Sequence, residues 1–231
     1  MTMTAPVRKF ALTAHVTTSV GWIGALAVFL AHALAGLISQ DEQVVRSVSI
    51  AMGITAWFVI LPLSLASLAT GLVQALGTAW GLVRHYWVIF KLLLTTVATA
   101  VLLLKLAPIS HLAAVAATTT FSSADLIGLR TSLTIHAAGG LLVLLTVATL
   151  AIYKPAGLTP YGERKQRERS KFGLRSGSEP VAGAPRWVRV FGAIVIGFIL
   201  VLGIMTLVGG HGPGAHMSDG GNALGSNRVD A

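Results

Sequence analysis

Five apolar blocks, at roughly 10–39, 48–76, 82–106, 133–153 and 187–208, restrict this chain more than any other feature of its sequence. A helix needs about 20 apolar residues to cross roughly 30 Å of hydrocarbon, and each block meets that length. In lipid the backbone must satisfy its own polar groups, so spans of this kind are helices or closed barrels. Hydrophobic residues make up 54% of the chain and charged residues 11%, far from the balance of a soluble globular protein. The sequence predicts an all-α, polytopic membrane protein with five transmembrane helices. Residues 1–153 hold a four-helix core, 154–186 a basic linker, 187–210 the fifth helix and 211–231 a disordered tail.

The positive charges set the expected orientation. Arg8 and Lys9 precede the first block, Arg84 lies between the second and third, and Lys154, Arg164, Lys165, Arg167, Arg169, Lys171, Arg175 and Arg186 crowd the linker. The other side has Arg46, Lys105, Arg130 and Arg228. Positive loops stay inside, so the N-terminus is expected in the cytoplasm and the C-terminus outside a bacterial cell membrane. The net charge of +9 is therefore assigned to topology and anionic lipid headgroups at the linker, not to nucleic acid. The apolar stretch after Lys9 is about twice the 7–15 residues of a signal peptide's core, which predicts a retained helix. Pro62 is expected to kink the second helix. A loop is expected at 107–131, and the basic linker shows no hydrophobic periodicity.

No cysteine is present, which excludes disulfides, iron–sulfur clusters and covalent haem attachment. Serine–histidine–acid arrangements, phosphate-binding glycine loops and zinc-protease signatures are also absent. What stands out chemically is histidine. His15, His32, His85 and His136 fall inside or at the mouths of the spans, with no Asp or Glu beside them. Ionisable groups at membrane depth ask for a function, and four imidazoles suggest a cofactor or metal. At 1.5 Å per residue, His15 and His32 lie roughly 25 Å apart on one helix. His32 falls at the depth of His136 and His15 at that of His85, giving an outer and an inner candidate pair for haem b. Gly21, Ala25, Ala35 and Gly36 share the face of His32, and Ser132, Gly139 and Gly140 that of His136. Small residues leave room for a neighbouring helix or a flat macrocycle.

The remaining polar groups have simpler readings. Lys91 and Lys105 are expected to snorkel toward opposite surfaces, with neutralisation of a propionate or other anion as the alternative for Lys91. His111 and the tail residues His211, His216 and Met217 could collect copper, because imidazole and thioether suit that metal. The absence of carboxylates in the spans argues against cation coupling.

The stretch from His15 through Trp22 to Gly24 resembles the first helix of copper-resistance protein D and its relatives. The stretch from His85 through Trp87 and Lys91 is similar to the Trp/Lys-bearing helix of the same broad group, which includes a haem-holding membrane protoporphyrinogen oxidase. Tyr153, Pro155, Gly157, Thr159 and Tyr161, with the basic residues after them, resemble an uncharacterised bacterial integral-membrane family over most of the chain. The resemblance implies a four-helix core with His15 and Trp22 on one face, and no established activity. Three expectations stand together: a haem b redox protein, a copper-handling protein, or an accessory membrane protein without cofactor. Whether the chain is an enzyme stays open.

Overall fold

A computed structural model of the chain describes residues 3–77, 82–118, 126–155, 157–171 and 185–208. Within these, four helices are long and apolar enough to cross a membrane: α1 Ala5–Ile38, α2 Glu42–Gly77, α3 Tyr86–Ala117 and α4 Ile127–Tyr153. Two more follow, α5 Pro160–Lys171 and α6 Arg186–Val208. Each of the first four packs against its neighbours in sequence, and α1 closes the bundle against α4. Short turns make successive helices antiparallel. The N-terminus of α1 therefore meets the C-terminus of α2, where Met3 N–H donates to the Gly77 carbonyl. This end also carries Arg8, Lys9, Arg84 and Lys154 and is termed the basic end; the other is the far end.

The core runs along the bundle axis, with Trp22, Phe29, Ile60, Leu112 and Leu133 all buried. The outward surface is equally apolar, with Phe10, Phe58, Ile152 and Leu104 exposed by two-thirds or more. A water-soluble bundle would not present so continuous an apolar surface. Lipid is the solvent that suits it.

The helices are longer than the apolar blocks, and the extensions correct the expected boundaries. With 36 residues, α2 is roughly 54 Å long against about 30 Å of hydrocarbon. It starts at Glu42 because Asp41 caps it, the carboxylate accepting from Gln43 N–H at 2.8 Å. The expected loop from 107 is helical to Ala117, through Pro108 and His111. Pro108 removes one donor to the preceding turn, but buried Ile109, Leu112 and Ala116 beyond it hold the helix straight through. Val45 of α2 packs on Ala116 of α3 in this extension, and the Arg46 guanidinium donates to the Thr118 carbonyl at the end of α3.

The start of α4 also moves outward. Arg130 and Thr131, expected in a loop, are its first turn. Arg130 is 5% exposed and donates from Nη1 to the Gly36 carbonyl at 2.6 Å, so a guanidinium caps the end of α1. The proposed cap at 122–125 lies outside the described residues.

Pro62 has the expected local effect in a specific form. Residues Ala56–Ile60 make a π-helical turn directly before it, with Leu61 N–H donating to the Ala56 carbonyl. The wider turn absorbs the backbone mismatch that Pro62 creates. The basic linker also contains structure that its polar sequence concealed. Helix α5 is initiated by Thr159, whose Oγ1 accepts from Gly162 N–H at 3.1 Å and donates to the Val83 carbonyl at 2.5 Å. Pro160 occupies the first helical position, where no backbone donor is needed. One threonine thus starts the helix and ties it to the turn before α3. Helix α6 docks through aromatic edges: the Phe90 ring lies 6.3 Å from Trp187 and 5.5 Å from Phe191.

Candidate functional site

The basic end holds a polar cluster that the sequence did not pair. His15 is 6% exposed. Its Nε2 accepts from Lys91 Nζ at 2.9 Å, and its Nδ1–H is shared between the Ser67 carbonyl and Thr70 Oγ1, each at 3.1 Å. Lys91 as an ammonium has only donors, so this network fixes neutral His15 with its hydrogen on Nδ1. The contact crosses the bundle diagonal from α1 to α3. It is possible because residue 71 is glycine: a Cβ there would lie 3.0 Å from His15 Cε1. Ser19 and Ser67 extend the polar seam upward with a 2.8 Å hydroxyl pair.

This cluster forms one wall of a cavity of about 720 Å3. Clefts of roughly 300–1,000 Å3 are the size that holds small organic ligands. Its polar lining is cationic or donating: Arg8, Lys9, Lys91 and Lys154, with Gln74 between α1 and the end of α2. Gln74 Nε2 is buried and has no hydrogen-bond partner among the described residues. Leu12, Leu68, Trp87 and Leu92 supply apolar wall. No carboxylate lines the cavity. None occurs anywhere in 1–40, 43–124 or 126–162 of the sequence. The cavity is an array of donors without a protein counter-ion.

The expected inner pair does not form as drawn. Both nitrogens of His15 are taken by α2 and α3, while His85 lies at the N-cap of α3, its ring 6.4 Å from Trp87 and its backbone bridged to Leu158. Lys91 does not snorkel outward either. Its charge finds a closer acceptor in the imidazole across the bundle.

The expected outer residues sit in different surroundings. His136 is 7% exposed, and its Nδ1–H donates to the Ser132 carbonyl one turn back at 2.7 Å. That bond leaves a lone pair on Nε2, which is buried without a partner among the described residues. His136 and Lys105 line a second cavity, of about 70 Å3, whose other walls include Trp22, Phe29, Leu94 and Gly140. His32 is half-buried, with Nδ1 likewise buried and unpartnered among the described residues. His111 is exposed on α3. His211, His216 and Met217 lie outside the described residues. Among the described residues, no three His, Cys, Asp or Glu side chains gather as a metal site.

The donor chemistry of His136 suits an axial haem ligand, because the second ring nitrogen is already oriented by a backbone carbonyl. The space does not. About 70 Å3 is far below the ~300 Å3 at which ligand pockets begin, so a macrocycle there requires α3 and α4 to part.

Comparison with known protein families, with curated proteins and with solved structures returns no match. The site is therefore read from its own chemistry.

Proposed function

We propose that this chain is a five-span protein of the bacterial cell membrane that binds an amphiphilic anion in the cavity at its cytoplasmic, basic end. The single observation that carries the reading is Lys91, held by His15 inside an apolar bundle with no acidic partner. An ammonium at membrane depth is costly, and a ligand carboxylate or phosphate would supply the missing charge. Arg8, Lys9 and Lys154 at the mouth would attract the anion, Gln74 Nε2 would donate to it, and Trp87 and Leu92 would receive an apolar body. The spacing of positive loops supports N-terminus inside and C-terminus outside, with α6 as the fifth span. The bilayer and its anionic headgroups are then the chain's standing surroundings at the linker.

Hexyl phosphate, a single-chain probe of this chemistry, is expected to bind the detergent-purified protein, with hexanol and hexylamine inert. Charge-assisted hydrogen bonds contribute about 1.5–3 kcal/mol, so Lys91→Gln should weaken binding by roughly 10- to 150-fold. Two sources could present the same head: a free alkyl anion or a membrane lipid. Phosphatidate in nanodiscs displaces hexyl phosphate if lipid is the occupant, and phosphatidylcholine does not. No binding of either anion would overturn the reading and favour the accessory protein without cofactor.

A second reading, a haem b redox protein, rests on the unpartnered Nε2 of His136. It predicts a Soret band in protein from haem-replete cells that is lost in His136→Ala. Its distant likeness to copper-resistance protein D keeps copper as a further proposal, checked by metal content after growth with copper.

A further inference from the structure

The two cavities share a wall. Lys91 and Lys105 lie 14 residues apart on α3, which places them roughly 21 Å apart along the axis and about 40° apart around it. Both are therefore on one face of the same helix. Lys91 and Thr95 line the basic-end cavity, while Leu94, Ala98 and Lys105 line the one beside His136. Neither lysine has an acidic residue in its stretch of sequence, since none occurs between 43 and 124. Two cationic stations, one above the other, are separated by a short apolar stretch at Trp22, Ile60 and Leu94.

A binding site alone explains Lys91 and leaves Lys105 without a role. An extra uncompensated cation at membrane depth raises the cost of the fold. A path does explain it. We infer that the chain translocates a single-chain alkyl phosphate or carboxylate across the bilayer along this face of α3, from the Lys91 cavity past Trp22 to Lys105 and His136. Lys91 receives the head at the basic end, and Lys105 receives it after the apolar constriction. The narrow second cavity, about 70 Å3 and almost wholly apolar, admits a linear chain and rejects a branched or cyclic body. The unpartnered Nε2 of His136 accepts the hydroxyl of a monoprotonated phosphate or a carboxylic acid at that second station. No covalent step is involved. The inference rests on the proposed anion site, and the two fail separately.

The test uses the full chain in phosphatidylcholine liposomes, with uptake of radiolabelled hexyl phosphate measured against protein-free liposomes and binding measured in parallel on the same preparations. Wild-type protein should raise the uptake rate at least tenfold. Lys91→Gln should lose both binding and uptake. Lys105→Gln should keep binding within about twofold and lose uptake, and Lys105→Arg should restore it. Cyclohexyl phosphate should bind and not cross. Binding without uptake by the wild type would overturn translocation and leave the anion site standing. Unchanged uptake in Lys105→Gln, or uptake lost equally in Lys105→Arg, would also overturn it. Absence of binding would bring down both readings.

Discussion

The two ends of the bundle treat a buried imidazole in opposite ways. At the basic end His15 has both ring nitrogens engaged, one by Lys91 and the other by Ser67 and Thr70, and the cavity beside it is large and polar. Toward the far end His136 is oriented by one carbonyl, keeps Nε2 unpartnered, and faces a cavity about a tenth that size. The contrast separates two kinds of polar burial. His15 holds another residue's charge in place, whereas His136 keeps a lone pair in reserve. Polar groups that satisfy each other rigidify a site, and those left unsatisfied mark where something else binds.

The strongest way to break this contrast is to remove the charge that His15 holds. In Lys91→Gln the affinity for hexyl phosphate should fall by about 10- to 150-fold by titration calorimetry, while His136→Gln leaves it within about twofold. Equal losses in both would erase the distinction between the two ends.

The next effect concerns the architecture that keeps the ends apart. Arg130 closes the far end by capping α1 at Gly36, and Arg130→Met should destabilise the bundle by roughly 1.5–3 kcal/mol in a denaturant titration in detergent micelles. Hexyl phosphate affinity should be unchanged in that variant. A large loss of binding would mean that the far end shapes the basic cavity.

A subtler probe is Gly71. Alanine there would press on His15 Cε1 and turn the ring, weakening anion binding severalfold through Lys91. At the far end the comparable Gly140→Ala meets only Leu26 Cδ2 at 3.3 Å, a side chain free to move, and should leave binding intact. The smallest effect is expected at Thr159. Thr159→Val removes the α5 cap and the tie to Val83, costs about 0.5–2 kcal/mol locally, and should speed proteolysis between α4 and α6 without altering affinity.

Much of the fold is legible in the sequence, because membrane spans are fixed by length and apolarity, which a single chain displays openly. Four long apolar helices, the buried Trp22 and the irregular turn before Pro62 all follow from it. Helix ends were not legible, since they depend on partners: α3 passes Pro108 because Val45 and Met52 of α2 wait for its far turns, and α5 forms because Thr159 finds Val83. The site was half legible. The histidines are visible as anomalies, but depth alone paired His15 with His85. The actual partner of His15 is Lys91, 76 residues away and across the diagonal. The signal that could have found it was charge: a lysine inside a span, with no acidic residue for more than 30 positions on either side.

The most direct measurement of the anion site is photolabelling. An alkyl phosphate carrying a diazirine on its chain, irradiated with the protein in phosphatidylcholine nanodiscs and mapped by mass spectrometry, should label Leu12, Leu68, Trp87 and Leu92 around the Lys91 cavity, with labelling suppressed by excess hexyl phosphate. Labelling spread evenly over the lipid-facing residues Phe10, Phe58 and Leu142, insensitive to that competitor, would contradict the account.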